Sequence, residues 1–443
     1  MKKCRIVLIY LLLARQIYAQ NEPQVWTLSQ CIQYAVENNI QLKQIEQSKN
    51  REEANLNTAK LSRLPSISAS AGQNIDIGRS PSKDGTIKDQ SSLNSNFYLQ
   101  SSIPLFTGLK NKNEIIAQEW NVSASVQNLQ KAKDDVRVNV FSSYMQVLFK
   151  REIEKIAQEQ VLLCSNQVRR TEILVENGKI AKSQLYSMKA QLARDEVTLV
   201  NATNEVSLAL LDLILSMNLD IAEGAFDIST LDFEHILSEY MLFIPSPEII
   251  YHEALSFRPH IMEQEYFLEG LQYTLKAAKS GYYPNLSLNA SYSNYYYRFI
   301  GLDNFSFSDQ WKQNARKTIG LTLSVPIFNR FQVRNSVRIA QIAVTNQKLA
   351  IADAYQTLYK EIRQVYSNAV AAQKVCLSSE ISVQSTRKSF LYAEESYNAD
   401  QISVFEYNEA KTKYIQSLSE QKQAIFDLIF RCKLLEFYSG KPF

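Results

Sequence analysis

Residues 59–70 read AKLSRLPSISAS and residues 278–289 read AKSGYYPNLSLN, so the same passage from helix through proline into an alternating strand occurs twice. A second match joins residues 102–106, SIPLF, to residues 324–328, SVPIF. Both matches are about 220 positions apart, roughly half of the 443-residue chain, so they indicate one duplicated structural unit rather than a short solenoid repeat.

Four segments of this repeat alternate strictly between apolar and polar residues. They cover about 65–78 and 95–106 in the first half, and about 284–297 and 316–328 in the second. Segments of about ten residues with this period predict tilted transmembrane β-strands that have one lipid face and one wet face. A half-buried soluble sandwich has the same period, but the polar positions here carry Ser, Asn and Thr rather than the Lys and Glu of a solvated sheet. The pattern therefore favours membrane strands.

Four strands cannot close a barrel, and an open sheet edge is not viable in lipid. Membrane barrels begin at about eight strands, so the chain must assemble with copies of itself. A dimer supplies eight strands and a trimer twelve, and the strand pattern does not choose between them. Prolines mark the expected helix–strand junctions, because Pro ends a helix and is tolerated at the start or the edge of a strand. These junction residues are Pro65, Pro104, Pro284 and Pro326.

Each half then continues as a long helical hairpin. The first covers about 109–216 with its tip near residue 178, and the second covers about 331–438 with its tip near residue 400. Neither outgoing arm contains proline, so each predicts a rod of ~100 Å. The predicted fold class is mainly α with a transmembrane β-barrel part, built from a duplicated helix–strand–strand–helix unit. Repeat 1 spans 20–217, a connecting segment spans 218–247, and repeat 2 spans 248–443.

Residues 1–19 have the layout of a secretory signal peptide, with a basic start, a short apolar stretch and a cleavage position after Ala19. Cys4 lies before the apolar stretch, so we expect no lipoprotein cysteine at the mature N-terminus. No other stretch approaches the ~20 apolar residues of a membrane helix, so an exported chain of this kind is either soluble or crosses a membrane as strands. The net charge is +3, with 48 basic and 45 acidic residues, and this balance argues against a nucleic-acid partner.

No pattern of residues predicts catalysis, a cofactor or a metal site. His235, His252 and His260 form no spaced constellation, and the four cysteines of the mature chain are too widely spaced for a zinc cluster. At 1.5 Å per residue, Cys31 and Cys432 fall at a similar height along the rods, so a disulfide between them is an open alternative.

The order of these passages carries a family resemblance. In chain order the passages are Ala59–Ile67, Pro104–Gly108, Gly178–Leu185, Ala278–Leu286, Val325–Phe328 and Tyr397–Ala410. With this order in two copies, the chain resembles the TolC-like outer-membrane efflux protein family over essentially all of its mature sequence. The resemblance implies a homotrimer whose shared 12-strand barrel lies in the outer membrane and is continuous with a long periplasmic α-helical barrel.

The resemblance also implies a function and partners. The trimer is expected to be the exit duct of a tripartite efflux or type I secretion system, docked onto a periplasmic adaptor protein and an inner-membrane pump, and to conduct substrates passively. The alternative is a periplasmic coiled-coil adaptor or scaffold without a membrane channel, and the four membrane-type strands oppose it. The sequence does not predict the substrate.

The resemblance further assigns residues to the periplasmic entrance. Glu406 and Glu409 match two carboxylates that form a charged ring, and three copies place six carboxylates around one axis, where mutual repulsion raises their pKa values. The residues that match the tips and the gate region are Gly178, Gln184, Tyr397 and Asp400. Three of the family's usual gate residues, a glycine, a basic residue and an acidic residue, are replaced by Asp400, Ile402 and Gln184. The closed-state lock of the relatives therefore does not transfer intact.

Overall fold

The structure is a computed structural model that describes residues 24–81, 85–89, 91–220, 226–230, 237–238, 240–241, 243–399 and 401–441. The predicted signal peptide and Asp400 therefore lie outside the described residues.

The described helices and strands follow the duplicated plan. In chain order they are β1 (Gln24–Trp26), α1 (Leu28–Asn38), α2 (Ile40–Leu61), β2 (Ser66–Asp76), β3 (Arg79–Pro81), β4 (Ile87–Asp89), β5 (Ser92–Phe106), α3 (Lys110–Glu176), α4 (Lys182–Met217), β6 (Phe226–Ile228), α5 (Pro247–Phe257), α6 (Pro259–Lys279), β7 (Asn285–Phe299), α7 (Phe307–Gln313), β8 (Arg316–Ser324), α8 (Gln332–Asn398) and α9 (Val404–Tyr438). The predicted fold class, mainly helical with four long strands, is confirmed.

Two compact units divide these elements. The strand unit comprises residues 47–127 and 262–352, and the tip unit comprises the described residues of 1–46, 128–261 and 353–443. Because each unit takes segments from both halves of the chain, the units cut across the two sequence repeats. The helices α3 and α8 have 67 residues each, ~100 Å at 1.5 Å per residue, and both contribute residues to both units.

The strand unit contains an antiparallel sheet in the order β2-β5-β7-β8, in which the two halves of the chain meet between β5 and β7. Across the sheet, Ile67 lies opposite Ser101, Ser101 opposite Ala290, and Ala290 opposite Ile319. Residues that lie opposite each other share a face. The register therefore gathers most apolar positions on one face, namely Ile67, Ala69, Phe97, Leu99, Ile103, Leu288, Ala290, Ile319 and Leu321. Ser, Asn, Gln and Thr predominate on the other face.

Side-chain amides take the place of β8 beside the last residues of β7. β8 begins only at Arg316 and does not reach them. Gln310 of α7 accepts a hydrogen bond from the N–H of Tyr297 and donates one to its C=O, both at 2.9 Å. Asn304 makes the equivalent pair of bonds with Phe299, both at 2.8 Å. These amides satisfy backbone groups that would otherwise form an open edge.

The prolines differ in their relation to the strands. Pro65 and Pro284 directly precede β2 and β7. The fourth strand ends two residues before Pro326, earlier than the expected residue 328. Pro104 corrects the sequence interpretation, because it lies inside β5 beside a bulge in the pairing with β7 and not at a junction. Since β2 reaches only as far as Ser102, Pro104 lies where β5 no longer pairs with β2 and its missing N–H is tolerated.

Both hairpins turn with the same backbone bond. In the first tip Gly178 has a φ of 68°, and the N–H of Lys179 donates to the C=O of Leu174 at 2.9 Å. In the second tip the N–H of Gln401 donates to the C=O of Ser396, also at 2.9 Å. This six-residue closure is the Schellman ending of a helix, which uses a left-handed residue, and Gly adopts that conformation at the lowest cost.

The tip unit has a large apolar core that includes three of the cysteines, Cys31, Cys376 and Cys432. Cys31 and Cys432 are both buried in this core as free thiols, so the disulfide that the sequence left open is not formed in the structure. Burial raises the pKa of each thiol to about 12, and both are therefore protonated at neutral pH.

Two glycines with a left-handed backbone allow a matched test of the turns. At Gly108, which has a φ of 61°, an added Cβ would lie 2.8 Å from the C=O of Ser280, whereas at Gly178 it would meet nothing within 4 Å. The backbone conformation alone costs an L residue roughly 1–2 kcal/mol, and crowding typically adds about 1–3 kcal/mol. We expect Gly108→Ala to lower the free energy of unfolding more than Gly178→Ala does.

Thermal unfolding of the detergent-solubilised protein, followed by circular dichroism, measures this difference. The control is Gly320→Ala in β8, where a Cβ also meets nothing within 4 Å and the backbone is extended. Equal melting temperatures for the Gly108 and Gly178 variants would contradict the crowding at Gly108.

Candidate functional site

The two hairpins meet just behind their tips in a small apolar core. Its buried members are Cys164, Val168, Met188 and Val404, with Leu185, Leu192 and Tyr397 packed around them. Helices α3 and α4 of the first hairpin and α8 and α9 of the second all contribute, so this core joins the two halves of the chain. The fold therefore brings Tyr397 to the first hairpin. Gly178 and Gln184 are exposed at the first tip.

Glu406 is tied to the start of its own helix. The N-cap of α9 is Ser403, whose Oγ accepts from the N–H of Glu406 at 3.3 Å, while a Glu406 carboxylate oxygen accepts from the N–H of Ser403 at 2.8 Å. This is a capping box. The bonds from the Ser403 backbone and hydroxyl lower the pKa of Glu406, the direction opposite to the one that ring repulsion would give.

Glu409 has a different partner on the same helix. Its carboxylate accepts from the ammonium of Lys413 at 2.7 Å, one turn further along α9. Both side chains are at least half exposed, so the pair is hydrated and weak. Within one chain, the two carboxylates assigned to the ring are thus both exposed at the start of α9, and one of them is paired with a lysine.

Aromatic rings hold the second hairpin together behind its tip. Tyr397 of α8 stacks on Tyr407 of α9 with ring centroids 5.0 Å apart. Phe390 packs against Tyr407 at 5.8 Å and stacks on Tyr414 at 5.6 Å. Burial raises the pKa of the Tyr407 phenol, which remains neutral. Tyr397 is therefore one of four aromatic side chains, with Phe390, Tyr407 and Tyr414, that pack between α8 and α9.

A buried ion pair joins the hairpins beside this core. The ammonium of Lys411 in α9 lies 2.9 Å from the carboxylate of Asp195 in α4, and their side chains are only 3% and 2% exposed. The other carboxylate oxygen of Asp195 accepts from the amides of Gln160, at 2.7 Å, and Gln191, at 2.8 Å. Lys411 also donates to the backbone C=O of Gln160 at 3.4 Å. The pair thus links α3 and α4 of one hairpin to α9 of the other.

Sequence reasoning missed this pair, although one signal was available. Lys411 follows the buried residues Val404 and Tyr407 at helical spacing, and Asp195 falls in the same stripe of α4 as buried Met188 and Ala202. A charge at a position with the periodicity of a core face indicates a buried polar contact. The sequence contains no sign that these two charges would meet, because they are 216 residues apart.

No group of three or more His, Cys, Asp or Glu residues within the described part of the chain is arranged to hold a metal ion.

One described helix, α4, is long and apolar enough to cross a membrane by length and composition, contrary to the expectation that no such stretch exists. Only 22% of its most apolar stretch is buried within the single chain.

Comparisons with known proteins match this architecture. A model of the outer membrane efflux protein family matches residues 31–219 and 250–425. The chain is 23% identical to the outer membrane efflux protein BepC of Brucella suis over 354 residues, which cover 78% of this chain and 70% of BepC. It is 22% identical to the probable outer membrane lipoprotein SilC of Salmonella typhimurium over 423 residues, covering 92% of this chain and 83% of SilC.

Solved structures share the fold at low sequence identity. A crystal structure of CusC, reported for the changes that accompany its folding and transmembrane channel formation, superimposes with a TM-score of 0.76. The match covers 95% of each chain at 16% identity, so it shows that the two chains share a fold and nothing more. The family is described as efflux proteins and CusC as forming a transmembrane channel, and neither description names an enzyme. Because the family model covers most of the sequence in both halves, the chain belongs to the outer membrane efflux protein family.

Proposed function

We propose that the chain is one protomer of a homotrimeric duct through the outer membrane that carries efflux substrates outwards. The observation that carries this proposal is the open four-stranded sheet, whose outer strands β2 and β8 each pair on one side only among the described residues. On its apolar face, Ile67 is 72% exposed and Ile319 is 80% exposed. Lipid would cover this face, but lipid cannot satisfy the two edges.

Copies of the same chain satisfy both edges if β8 of one protomer pairs with β2 of the next. Three copies give a closed barrel of twelve strands, well above the minimum of about eight. The long helices support the same assembly. The apolar face that α4 leaves exposed includes Val197, Val200, Leu208, Leu211 and Leu215, and contact with a neighbouring protomer would bury it.

The proposed partners follow from family membership and from the tips. A duct of this kind has no energy source of its own, so it works with an inner-membrane pump and a periplasmic adaptor protein that meets the hairpin tips. The family description and the name of BepC both refer to efflux, which favours efflux over type I secretion. We infer that the pump determines most of the substrate selectivity. No cofactor is required.

We place the protein in the outer membrane, with an exported N-terminus that carries no lipid. The name of SilC describes a lipoprotein, whereas the cysteine nearest the start of this chain, Cys4, precedes the apolar stretch of the predicted signal peptide. Residues 1–23 lie outside the described residues. Mass spectrometry of the mature N-terminus tests this proposal, and an acylated cysteine there would contradict it.

Fractionation of cells and conductance measurements test the function. We expect the protein in the outer-membrane fraction, migrating as a heat-modifiable oligomer, and we expect it to form ion-conducting pores in planar bilayers. The alternative function is a periplasmic adaptor or scaffold, for which a soluble product without conductance is the expected result. That result would overturn the proposed function.

Charges on the two faces of β8 separate a membrane strand from a soluble one. Ile319 lies on the apolar face and its neighbour Thr318 on the polar face. If the apolar face meets lipid, Ile319→Lys destabilises the barrel by up to about 2–4 kcal/mol at mid-membrane depth, while Thr318→Lys is tolerated in the wet lumen. The yield of heat-modifiable oligomer measures both effects. Equal yields from the two variants would indicate that Ile319 faces water.

The entrance ring makes a prediction about ion selectivity. If Glu406 and Glu409 line the entrance, Glu406→Gln and Glu409→Gln each lower cation selectivity, and Lys413→Gln raises it because it frees Glu409 from its partner. Gln at position 406 keeps an oxygen that can cap Ser403, so the change reports charge rather than loss of the cap. Reversal potentials in planar bilayers measure the selectivity. Unchanged values in both glutamate variants would rule out the ring.

A further inference from the structure

The apolar face of β8 ends in a lysine. The exposed apolar residues on this face of β8 are Ile319, Leu321 and Leu323. Lys317 is the next residue of the same face, two positions before Ile319 and opposite Tyr292. It lies at the end of β8 that is further from α8 along the chain. In the proposed duct the long helices extend into the periplasm, so this end of β8 lies at the outer surface of the membrane.

Helix α7 packs on the same face just before β8 begins. The ring of Trp311 lies 5.1 Å, centroid to centroid, from the ring of Phe97, which belongs to the apolar face. The Trp311 C=O accepts from the side-chain amide of Asn294 at 2.7 Å, and the same amide donates to the hydroxyl of Tyr292 at 3.4 Å. Because Tyr292 lies opposite Lys317, these contacts bring Trp311 and Lys317 to the same part of the face.

Positive charge predominates where α7 leads into β8. Lys312 directly follows Trp311, and both Lys312 and Lys317 are exposed. Neither lysine forms an ion pair within the described residues. Asp309 is the only carboxylate of α7 and β8, and it accepts from the N-cap hydroxyl of α7 at 2.6 Å. The two ammonium groups therefore lack a counter-charge at the boundary of an apolar surface.

This arrangement has the chemistry of a site for a phosphorylated lipid. Lysine at the edge of a lipid-facing surface extends its ammonium towards the headgroups, and tryptophan is favoured at the same depth. Phosphate carries the negative charge that a lysine binds as a point charge. A free phosphate ion would gain nothing from the apolar residues beside the lysines, whereas a lipid uses both features. The combination of charge and apolar surface therefore favours a lipid as the source of the phosphate.

We propose that Lys312 and Lys317, beside Trp311, bind the phosphorylated headgroup of a lipid of the outer leaflet, whose acyl chains lie along the apolar face of β8. This proposal rests on the proposed function, because it requires that face to meet lipid and this end of β8 to lie outside. The first half of the chain has no counterpart, since β5 begins at the same end of the sheet and contains no Lys or Arg. We therefore expect one such site in each protomer.

Three substitutions of exposed residues test the site. Lys312→Gln and Lys317→Gln each remove one positive charge while leaving a polar side chain. Each lysine near an anionic surface contributes about 1 kcal/mol, so each variant should weaken lipid binding about fivefold and the double variant about twenty-five-fold. Arg316→Gln is the matched control, because Arg316 is exposed and adjacent to Lys317 but lies on the polar face, opposite Ser293. It should leave lipid binding at the parent value.

Native mass spectrometry of the detergent-solubilised oligomer, titrated with diphosphoryl lipid A, measures the apparent Kd. The same lipid with its phosphates removed has the same acyl chains and sugars, so the difference in Kd between the two lipids reports the phosphate. The parent should bind the phosphorylated form more tightly by about the factor that the double variant loses. Inorganic phosphate, added at the same concentration as the lipid, should not displace it, because it lacks the apolar contacts.

Each other outcome contradicts the proposal. Parent-like binding in an assembled Lys312→Gln/Lys317→Gln variant, or an equal loss in Arg316→Gln, would overturn the site. Displacement by inorganic phosphate would show that the lysines bind a free anion instead. If a variant does not assemble, the comparison of the two lipids on the parent decides, and equal Kd values reject the site.

Failure of the site and failure of the proposed function give different results. A parent that forms a heat-modifiable, conducting oligomer but does not distinguish the two lipids rejects the site and leaves the duct intact. A parent that forms no such oligomer contradicts the proposed function, and the lipid site is rejected with it.

Discussion

The backbone hydrogen bonds at the two edges of the β2-β5-β7-β8 sheet are the constraint on which the rest of the structure depends. Within one chain, β2 and β8 are the outer strands, and an unsatisfied backbone group in lipid costs several kcal/mol. The chain meets the same problem locally at the end of β7, where Gln310 and Asn304 supply amides in place of a strand. At the two edges, only further strands can do so. In the proposed assembly, copies of the chain supply these strands.

The contact between the hairpins depends on side chains rather than on backbone hydrogen bonds. The sheet favours one closed arrangement, because every edge group that loses its partner is penalised. Behind the tips, a small apolar core is combined with a buried ion pair, in which the attraction between the charges is largely offset by the hydration that both have lost.

Much of this fold could be predicted from local patterns. Alternation of period two predicted the four strands and their shared apolar face, the proline-free arms predicted the rods, and Gly178 predicted the first turn. Pro104 was misread because its place depends on where β2 ends, which no pattern around Pro104 contains. Ser403 followed three residues later by Glu406 is the sequence pattern of a capping box, but the family resemblance assigned Glu406 to a ring of carboxylates instead. Asp195 and Lys411 could not be paired from sequence, since only the packing of two distant helices brings them together.

The number of chains in the assembly tests the central claim most directly. Native mass spectrometry of the detergent-solubilised protein measures it without reference to substrate or pump. If the sheet edges are satisfied by copies of this chain in a twelve-strand barrel, the principal species has three times the mass of the mature chain. A stable monomer with its four strands intact in lipid, or a dimer as the principal species, would contradict the account.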